Sequence, residues 1–422
     1  MRTSIQNRWP KKPLGEVADV VSGYAFKSTE FRDQGIPVIK IRNIRVGSVD
    51  LSGADRVDEK FLTIPGRYHV RAGDVLISLT GSHISQPNSV VGRVARHSAG
   101  LPDCLLNQRG GKVIVKDRNN CDLNFIFYAL SEIETVRAIA MKAHGAANQA
   151  NVSPTQVESV AIPLPPLPIQ QRIACILLAY DELIENNQRR IRILEQMARA
   201  LYHEWFVNFR FPGHEKIRRI DSTLGPIPKG WEVKKLKDVC HLIMGQSPKS
   251  EFYNKIGEGQ PFHQGVTDFG DRFPTDRLFC TVESRVAETG DILFSVRAPV
   301  GRMNIADKKN IIGRGLSAIR HKDGQQAFLW EQLRNRFTED DMMGGGSIFA
   351  AVTKNDMQAI ELVWPTDAAV RSATSHFDPI HEEIATLTKQ IRNLRRTRDL
   401  LLPRLLSGQI GLDVSSLEEA AA

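Results

Sequence analysis

The five cysteines (Cys104, Cys121, Cys175, Cys240 and Cys280) lie far apart and form no C-x-x-C pair. That excludes a zinc ribbon and a disulfide framework and fits a reducing compartment. No run of about 18 apolar residues is present, so no membrane-spanning segment is expected. Residues 1–8 lack the apolar core of a signal peptide, and the expected location is the cytoplasm. The eleven histidines form no pair at metal-ligand spacing. There is no Asn/Asp-Pro-Pro-aromatic tetrapeptide of the methyltransferase kind, no G-x-x-x-x-G-K-[ST] phosphate loop, and no Pro-Asp…(Asp/Glu)-x-Lys nuclease cluster. Gly257-Glu258-Gly259 and Gly344-Gly345-Gly346 lack the strand–helix context of a nucleotide loop. The sequence therefore offers no catalytic residue, no metal ligand and no cofactor-binding residue.

What is present is a duplication. Residues 152–201 align with 352–401 at a constant offset of 200, with Val152-Ser153 answering Val352-Thr353 and Pro165 answering Pro365. Upstream, Leu14-x-x-Val17 answers Leu236-x-x-Val239, and Gly35-x-Pro37 answers Gly259-x-Pro261. Gly73-Asp74-Val75-Leu76-Ile77-Ser78 answers Gly290-Asp291-Ile292-Leu293-Phe294-Ser295, and Val91-Gly92-Arg93 answers Val300-Gly301-Arg302. By identity, Arg109-Gly110 answers Arg314-Gly315. These matches keep chain order, and their offsets drift as loop lengths would make them. A period this long marks a duplicated domain and not a solenoid. With 422 residues, 41% hydrophobic and 25% charged, the chain is long enough for two or three domains with proper cores. Its formal net charge of +8 suits a polyanionic partner without demanding one.

Each copy ends in a long helical pattern. Pro163, Pro165, Pro166 and Pro168 make a stiff lead-in, after which a helix is expected from Ile169 to about Phe211, where Pro212-Gly213 stops it. Ile173, Leu177, Tyr180, Ile184, Asn187, Ile191, Leu194, Ala198 and Leu201 alternate steps of four and three, which is a heptad seam. Ala373, Phe377, Ile380, Ile384, Leu387, Ile391, Leu394, Arg398 and Leu401 repeat it. One polar residue in each seam, Asn187 or Arg398, is expected to fix register. The two helices should pack on each other antiparallel, because the intervening domain must return the chain. About 30 helical residues make a rod of roughly 45 Å, against about 34–36 Å for one turn of duplex DNA. The aromatic run Trp205-Phe206-Val207-Asn208-Phe209-Arg210-Phe211 is expected to cap the chain internally, against Leu405-Leu406 and Ile410. Lys389, Arg392, Arg395, Arg396, Arg398 and Arg404 face a single acid, Asp399, and form a basic face for solvent, a partner subunit or the DNA backbone.

The fold class expected is α+β, with two pseudo-repeated domains joined by two long antiparallel coiled-coil helices. The divisions are 1–168, a helix over 169–212, a second domain over 213–367, a helix over 368–411, and a flexible tail over 412–422. Helices are also expected over residues 123–143 and 326–337. A strand over residues 38–44 would place Lys40 and Arg42 opposite Ile39 and Ile41, with Arg45 in the turn after it. Basic residues there suit phosphate, while Arg42 and Asn43 are placed to reach base edges, Arg to guanine and Asn to adenine. In the second half, Gln246, Ser247 and Lys249 lie in a Gly-flanked loop, as does Gln264 within His263-Gln264-Gly265. Arg297 ends a strand, and Arg314 stands between Gly313 and Gly315. Thr80 corresponds to Arg297 and Lys40 to Gln264, so two reading surfaces on these loops would read different sequences.

Pro163-Leu164-Pro165-Pro166-Leu167-Pro168-Ile169-Gln170-Gln171-Arg172 and the run from Leu201 to Pro212 resemble the central region of type I restriction-modification specificity subunits. Leu402-Pro403-Arg404-Leu405-Leu406-Ser407-Gly408-Gln409-Ile410 resembles their distal region. Leu76-Ile77-Ser78-Leu79-Thr80-Gly81, Gly245-Gln246-Ser247-Pro248, Arg297-Ala298-Pro299-Val300-Gly301 and Gly313-Arg314-Gly315 resemble their target-recognition domains. The resemblance covers nearly the whole chain. It implies two target-recognition domains, each reading half of a split site in double-stranded DNA, on a helical spacer. It further implies two docked methyltransferase subunits and, in the full complex, restriction subunits. S-adenosylmethionine, ATP and magnesium would belong to those partners, with no cofactor on this chain. The second copy departs at Val363-Trp364-Pro365-Thr366-Asp367, which lacks the Gln after the prolines, so unequal docking sites are expected. Two readings from other classes stand beside this one. One is a self-contained enzyme, which S-adenosylmethionine binding by the isolated chain would support. The other is a coiled-coil adaptor with incidental basic charge, which salt-independent or absent duplex binding would support.

Overall fold

A strand buried on both faces reads as a near-continuous apolar run, because neither face meets water. Val75–Ser78 and Ile292–Ser295 are of this kind: every residue in both is buried, and each has a strand on either side. The computed structural model describes residues 9–82, 91–146, 149–337 and 351–412; the tail expected beyond them and Gly344-Gly345-Gly346 lie outside the described residues. The chain divides into two units, residues 1–185 with 392–422, and residues 186–391. Each unit thus takes its own part of both long helices.

In the first unit the main strands are β1 (Ala18–Ser22), β2 (Ile36–Ile39), β3 (Gly47–Ser48), β4 (Val75–Ser78), β5 (Val94–Arg96), β6 (Cys104–Leu106) and β7 (Gly110–Val115). One sheet runs β1-β7-β4-β5-β3. A second has β2 and β6 side by side and parallel, flanked by Arg56–Val57 and His69–Val70. The second unit repeats this plan with β8 (Cys240–Met244), β9 (Gln260–His263), β10 (Ile292–Ser295), β11 (Met303–Ile305), β12 (Asn310–Ile312) and β13 (Leu316–His321). Its sheets run β8-β13-β10-β11, and β9 beside a parallel β12 flanked by Phe279–Cys280 and Val286–Ala287.

Strand register fixes the correspondence more finely than residue identity does. Gly111 pairs with Ser22 and Gly110 with Ser78, where Ser317 pairs with Met244 and Leu316 with Ser295. The offset here is 317 − 111 = 206, so the identity match of Arg109-Gly110 with Arg314-Gly315 is one residue out. By register, Gln108 answers Arg314 and Arg109 answers Gly315.

Five helices among the described residues have nine or more residues: α1 (Leu123–Ser131), α2 (Ile133–Met141), α3 (Leu167–Tyr202), α4 (Gln326–Arg336) and α5 (Asp367–Leu406). The single helix expected over 123–143 is broken at Glu132, whose carboxylate accepts from the amides of Glu134 and Thr135 and so starts α2. Pro168 sits in the first turn of α3, where a missing amide costs nothing. That helix gives way to a π turn over His203–Val207 and stops with Phe209 at φ 59°, short of Pro212.

Heptad positions are buried or half-buried on both long helices. In the first unit Ile173 and Leu177 of α3 share a core with Leu405 and Leu406 of α5, while in the second Ala198 and Tyr202 share one with Ala373 and Phe377. The start of α3 thus meets the end of α5 and the reverse, which is antiparallel. Seam Asn187 donates to Gln390 at 3.2 Å, and seam Arg398 pairs with Asp181. Arg398 therefore does not belong to the free basic face of α5. The aromatic run after α3 is capped elsewhere than expected: Phe206, Phe209 and Phe211 surround Trp231 of the second unit. Leu405, Leu406 and Ile410 belong to the first unit's core instead.

A polar contact between globular domain and long helix recurs in the two units with different chemistry. Tyr128, six residues after the N-cap of α1, donates its hydroxyl to Asp181 at 2.6 Å, and Asp181 also holds Arg398. Glu331, six residues after the N-cap of α4, accepts from His381 Nε2 at 2.8 Å, and His381 Nδ1 accepts from Arg272 at 2.6 Å. His381 answers Asp181 at the offset of 381 − 181 = 200. Arg272 is buried, its guanidinium drawn down to about 10 by that burial, and lies over Trp330. It remains cationic at neutral pH and holds His381 as a neutral acceptor.

Burial pushes the His381 imidazole below its ordinary value, Glu331 and Asp378 pull it up, and Arg272 pushes it down. The unfolded chain takes up the proton near pH 6.5, so the stability His381 contributes is present above that pH and is lost as pH falls below it. Denaturant unfolding at pH 7.5 and 5.5 is expected to show a smaller loss on acidification for His381→Gln than for the parent chain. Equal losses would place the imidazole's titration outside the fold's energetics.

Candidate nucleic-acid interface

In each repeat three loops come together at one edge, and main-chain bonds hold them. The turn after β6 begins with Asn107 N donating to Ile39 O at 3.0 Å and closes with Gly110 N donating to Asn107 O at 2.8 Å. The turn after β12 does the same: Gly313 N donates to His263 O at 2.8 Å and Leu316 N to Gly313 O at 3.0 Å. The loop after β1 lies across the first turn, Tyr24 N donating to Leu106 O, and the loop after β8 lies across the second, Gln246 N donating to Ile312 O. Both crossings begin with a glycine because nothing larger fits. A Cβ on Gly23 would stand 2.3 Å from Leu106 O, and one on Gly245 2.2 Å from Gly313 O.

The third loop follows β2 or β9. The expected strand over 38–44 ends at Ile39, and residues Ile41–Asn43 form a 3-10 turn. Asn43 is 2% exposed; its side-chain oxygen accepts from Lys40 N at 3.0 Å and its amide donates to Asp50 O at 2.9 Å. Asp268 does the same work in the second unit, its Oδ2 accepting from Gln264 N at 3.2 Å, and its other oxygen, Oδ1, accepts from both Nε and Nη2 of Arg277. Asn43 is thus a turn-holding residue and does not present its amide to a base. Thr80 is likewise buried, its hydroxyl donating to Asn151 at 2.8 Å. Its counterpart Arg297 bridges to Ala351 through the main chain and leaves its side chain exposed. In both cases a sequence pattern cannot distinguish a polar side chain that points inward from one that points outward.

The remaining candidates are at the surface. Lys40 pairs with Asp55 at 2.7 Å, its ammonium 3.6 Å from the Phe31 ring, and Arg42 reaches the same carboxylate and Gly53 O. Arg45 stands 3.5 Å from Asp50. Hydrogen bonds from Lys40 hold Asp55 below the usual carboxylate range, and bonds from Ser52 do so for Asp50. Three cations thus share two anions, which leaves one positive charge on this loop. In the second unit Ser247 accepts from Arg314 N at 3.2 Å, and Lys249 is 81% exposed with only a 3.9 Å approach to Glu251. The side chains of Gln246, Gln264, Arg297 and Arg314 are exposed and make no hydrogen bond or ion pair among the described residues. Unengaged amide and guanidinium donors on a rigid loop edge are what base and phosphate contact requires. Gln108 and Arg109 in the first unit share these properties. The identity match hid Gln108, because it set Arg109 and not Gln108 against Arg314.

Among the described residues no group of three His, Cys, Asp or Glu could hold a metal ion, and no helix is long and apolar enough to cross a membrane. Gln170, the residue after the prolines, is buried. It accepts from Asp122 N and donates to the carbonyls of Asn120 and Pro165, tying the start of α3 to that of α1. In the second unit Thr374 instead donates to Gln325 at the N-cap of α4. The missing Gln of the second copy is thus a change in how a helix is anchored.

If Asn43 holds the turn, Asn43→Ala should lower stability by about 1–3 kcal/mol through lost capping and an orphaned Asp50 carbonyl. The base sequence recognised should be unchanged. Thermal unfolding and a selection of bound duplexes from a random pool check this; a stable variant with one altered base position would return Asn43 to the reading surface.

The model of the type I restriction modification DNA specificity domain matches residues 6–196 and 228–394. A putative type I restriction enzyme specificity subunit (MjaX) of Methanocaldococcus jannaschii is 30% identical over 96% of this chain and 94% of its own length. The HindI specificity subunit of Haemophilus influenzae is 24% identical over 68% of this chain and 77% of its own. The crystal structure of a type I S subunit from M. genitalium shares the fold at 17% identity, with a TM-score of 0.62 over 96% of this chain and 98% of that one. The chain belongs to the type I restriction-modification DNA specificity family and is its non-catalytic, sequence-recognising subunit.

Proposed function

We propose that each unit reads one half of a bipartite duplex site through its loop edge, and that the two long helices set the unread interval between the halves. The observation that carries this reading is the repeated frame. The same main-chain bonds recur in both units, yet they present different unengaged side chains: Gln246, Gln264, Arg297 and Arg314 in one, and Gln108 and Arg109 in the other. Two identical frames with different surfaces suit two different half-sites.

The complex assembled on this chain would contain two methyltransferase subunits docked on the helices and restriction subunits beyond them. Adenine methylation with S-adenosylmethionine, and ATP- and magnesium-dependent translocation, would belong to those partners, in the cytoplasm. The exposed cations Lys389, Arg395, Arg396 and Arg404 of α5 are available to either a partner subunit or the DNA backbone.

Co-expression with the cognate methyltransferase subunit, followed by base-resolution mapping of N6-methyladenine across a genome, tests this reading. The expected result is a split motif with a fixed spacer that disappears when this chain is omitted. Methylation that is absent or independent of this chain, despite a formed complex, would favour an adaptor.

A further inference from the structure

The turns Asn107 to Gly110 and Gly313 to Leu316 are equivalent position by position, because their first residues hang from the same rung of the neighbouring strand and their last residues pair with Ser78 and Ser295. The second position carries Gln108 in one and Arg314 in the other; both side chains are exposed and unengaged among the described residues. The third position carries Arg109 and Gly315. Gly315 is forced, since a Cβ there would lie 2.5 Å from Gln264 O. The second unit therefore presents one side chain from this turn, and the first unit presents two.

Glutamine and arginine at one backbone position have opposed base preferences. A glutamine amide offers a donor and an acceptor side by side, matching adenine N7 and N6-H in the major groove, whereas a guanidinium offers only donors, matching guanine O6 and N7. We propose that Gln108 and Arg314 are matched specificity-determining residues, Gln108 selecting adenine in one half-site and Arg314 selecting guanine in the other. This rests on the reading that the loop edges contact DNA, and it assigns one base position to one residue in each half. Arg109 adds a cationic contact in the first unit that has no counterpart in the second.

The test uses the full chain with its methyltransferase subunit and compares the methylated motifs of the parent, Gln108→Arg and Arg314→Gln. In Gln108→Arg one adenine position of one half-site should shift toward guanine. In Arg314→Gln one guanine position of the other half-site should shift toward adenine, with the spacer and the other positions kept. An unchanged motif in both variants, or a change in both halves from one substitution, overturns the assignment. For a variant that methylates nothing, Gln108→Ala and Arg314→Ala complexes are titrated with the parent-motif duplex and with single-base variants of it. Discrimination should fall roughly ten- to hundredfold at one position alone. A uniform weakening across all duplexes would mark a phosphate contact and overturn it. A parent motif that stays bipartite while these outcomes fail leaves the broader reading intact; a parent complex without any motif removes that reading first.

Discussion

Asn107 and Gly313 each donate a main-chain amide to a carbonyl on the adjacent strand, and a neighbouring loop crosses each turn over a glycine that nothing larger can replace. A buried main-chain donor must be satisfied, so this arrangement tolerates little change in backbone. It tolerates wide change at its exposed positions, because the side chains of Gln108, Arg109 and Arg314 contribute no bond to it, whereas the buried Asn107 side chain accepts from Arg109 N at 3.4 Å. The loop edge proposed to read DNA is therefore fixed in shape and free in chemistry. A fold that reads different sequences would need that separation, and duplication of the unit would let one chain use it twice.

The same separation appears where the recognition domains meet the helices. The contact at Tyr128 and Asp181 is a phenol on a carboxylate, backed by Arg398 from α5. At Glu331 and His381 the carboxylate has moved to the domain and an imidazole to the helix, backed by Arg272 from a loop of the recognition domain. Both sites keep a cation beside the polar pair, yet the cation comes from a helix in one and from a loop in the other. The second arrangement alone carries an imidazole, which burial holds below its ordinary value.

Much of the fold is legible in the sequence because duplication and periodicity are strong, redundant signals. The heptad steps from Ile173 to Leu201 mark a seam that is buried or half-buried throughout, and the doubled Gly-Asp strands mark β4 and β10. The candidate interface is legible only in part. Asn43 and Thr80 look like surface readers because their neighbours are polar, but each is turned inward to satisfy a turn or a partner side chain. Gln108 is obscured because identity drew Arg109 onto Arg314, while the register of β7 and β13 sets Gln108 against Arg314 and Arg109 against Gly315. Pair identities report ancestry, whereas hydrogen-bond register reports position, and the two differ by one residue at the turn that matters.

Amide hydrogen exchange of the assembled complex, with and without a duplex carrying its motif, addresses the central claim most directly. Protection should rise across residues 108–109, 245–249, 265 and 313–315, while the amides of Lys40 and Gln264, which Asn43 and Asp268 hold, change little. Protection confined to other surfaces, with these loop edges unchanged, would contradict a reading edge built on the repeated turns.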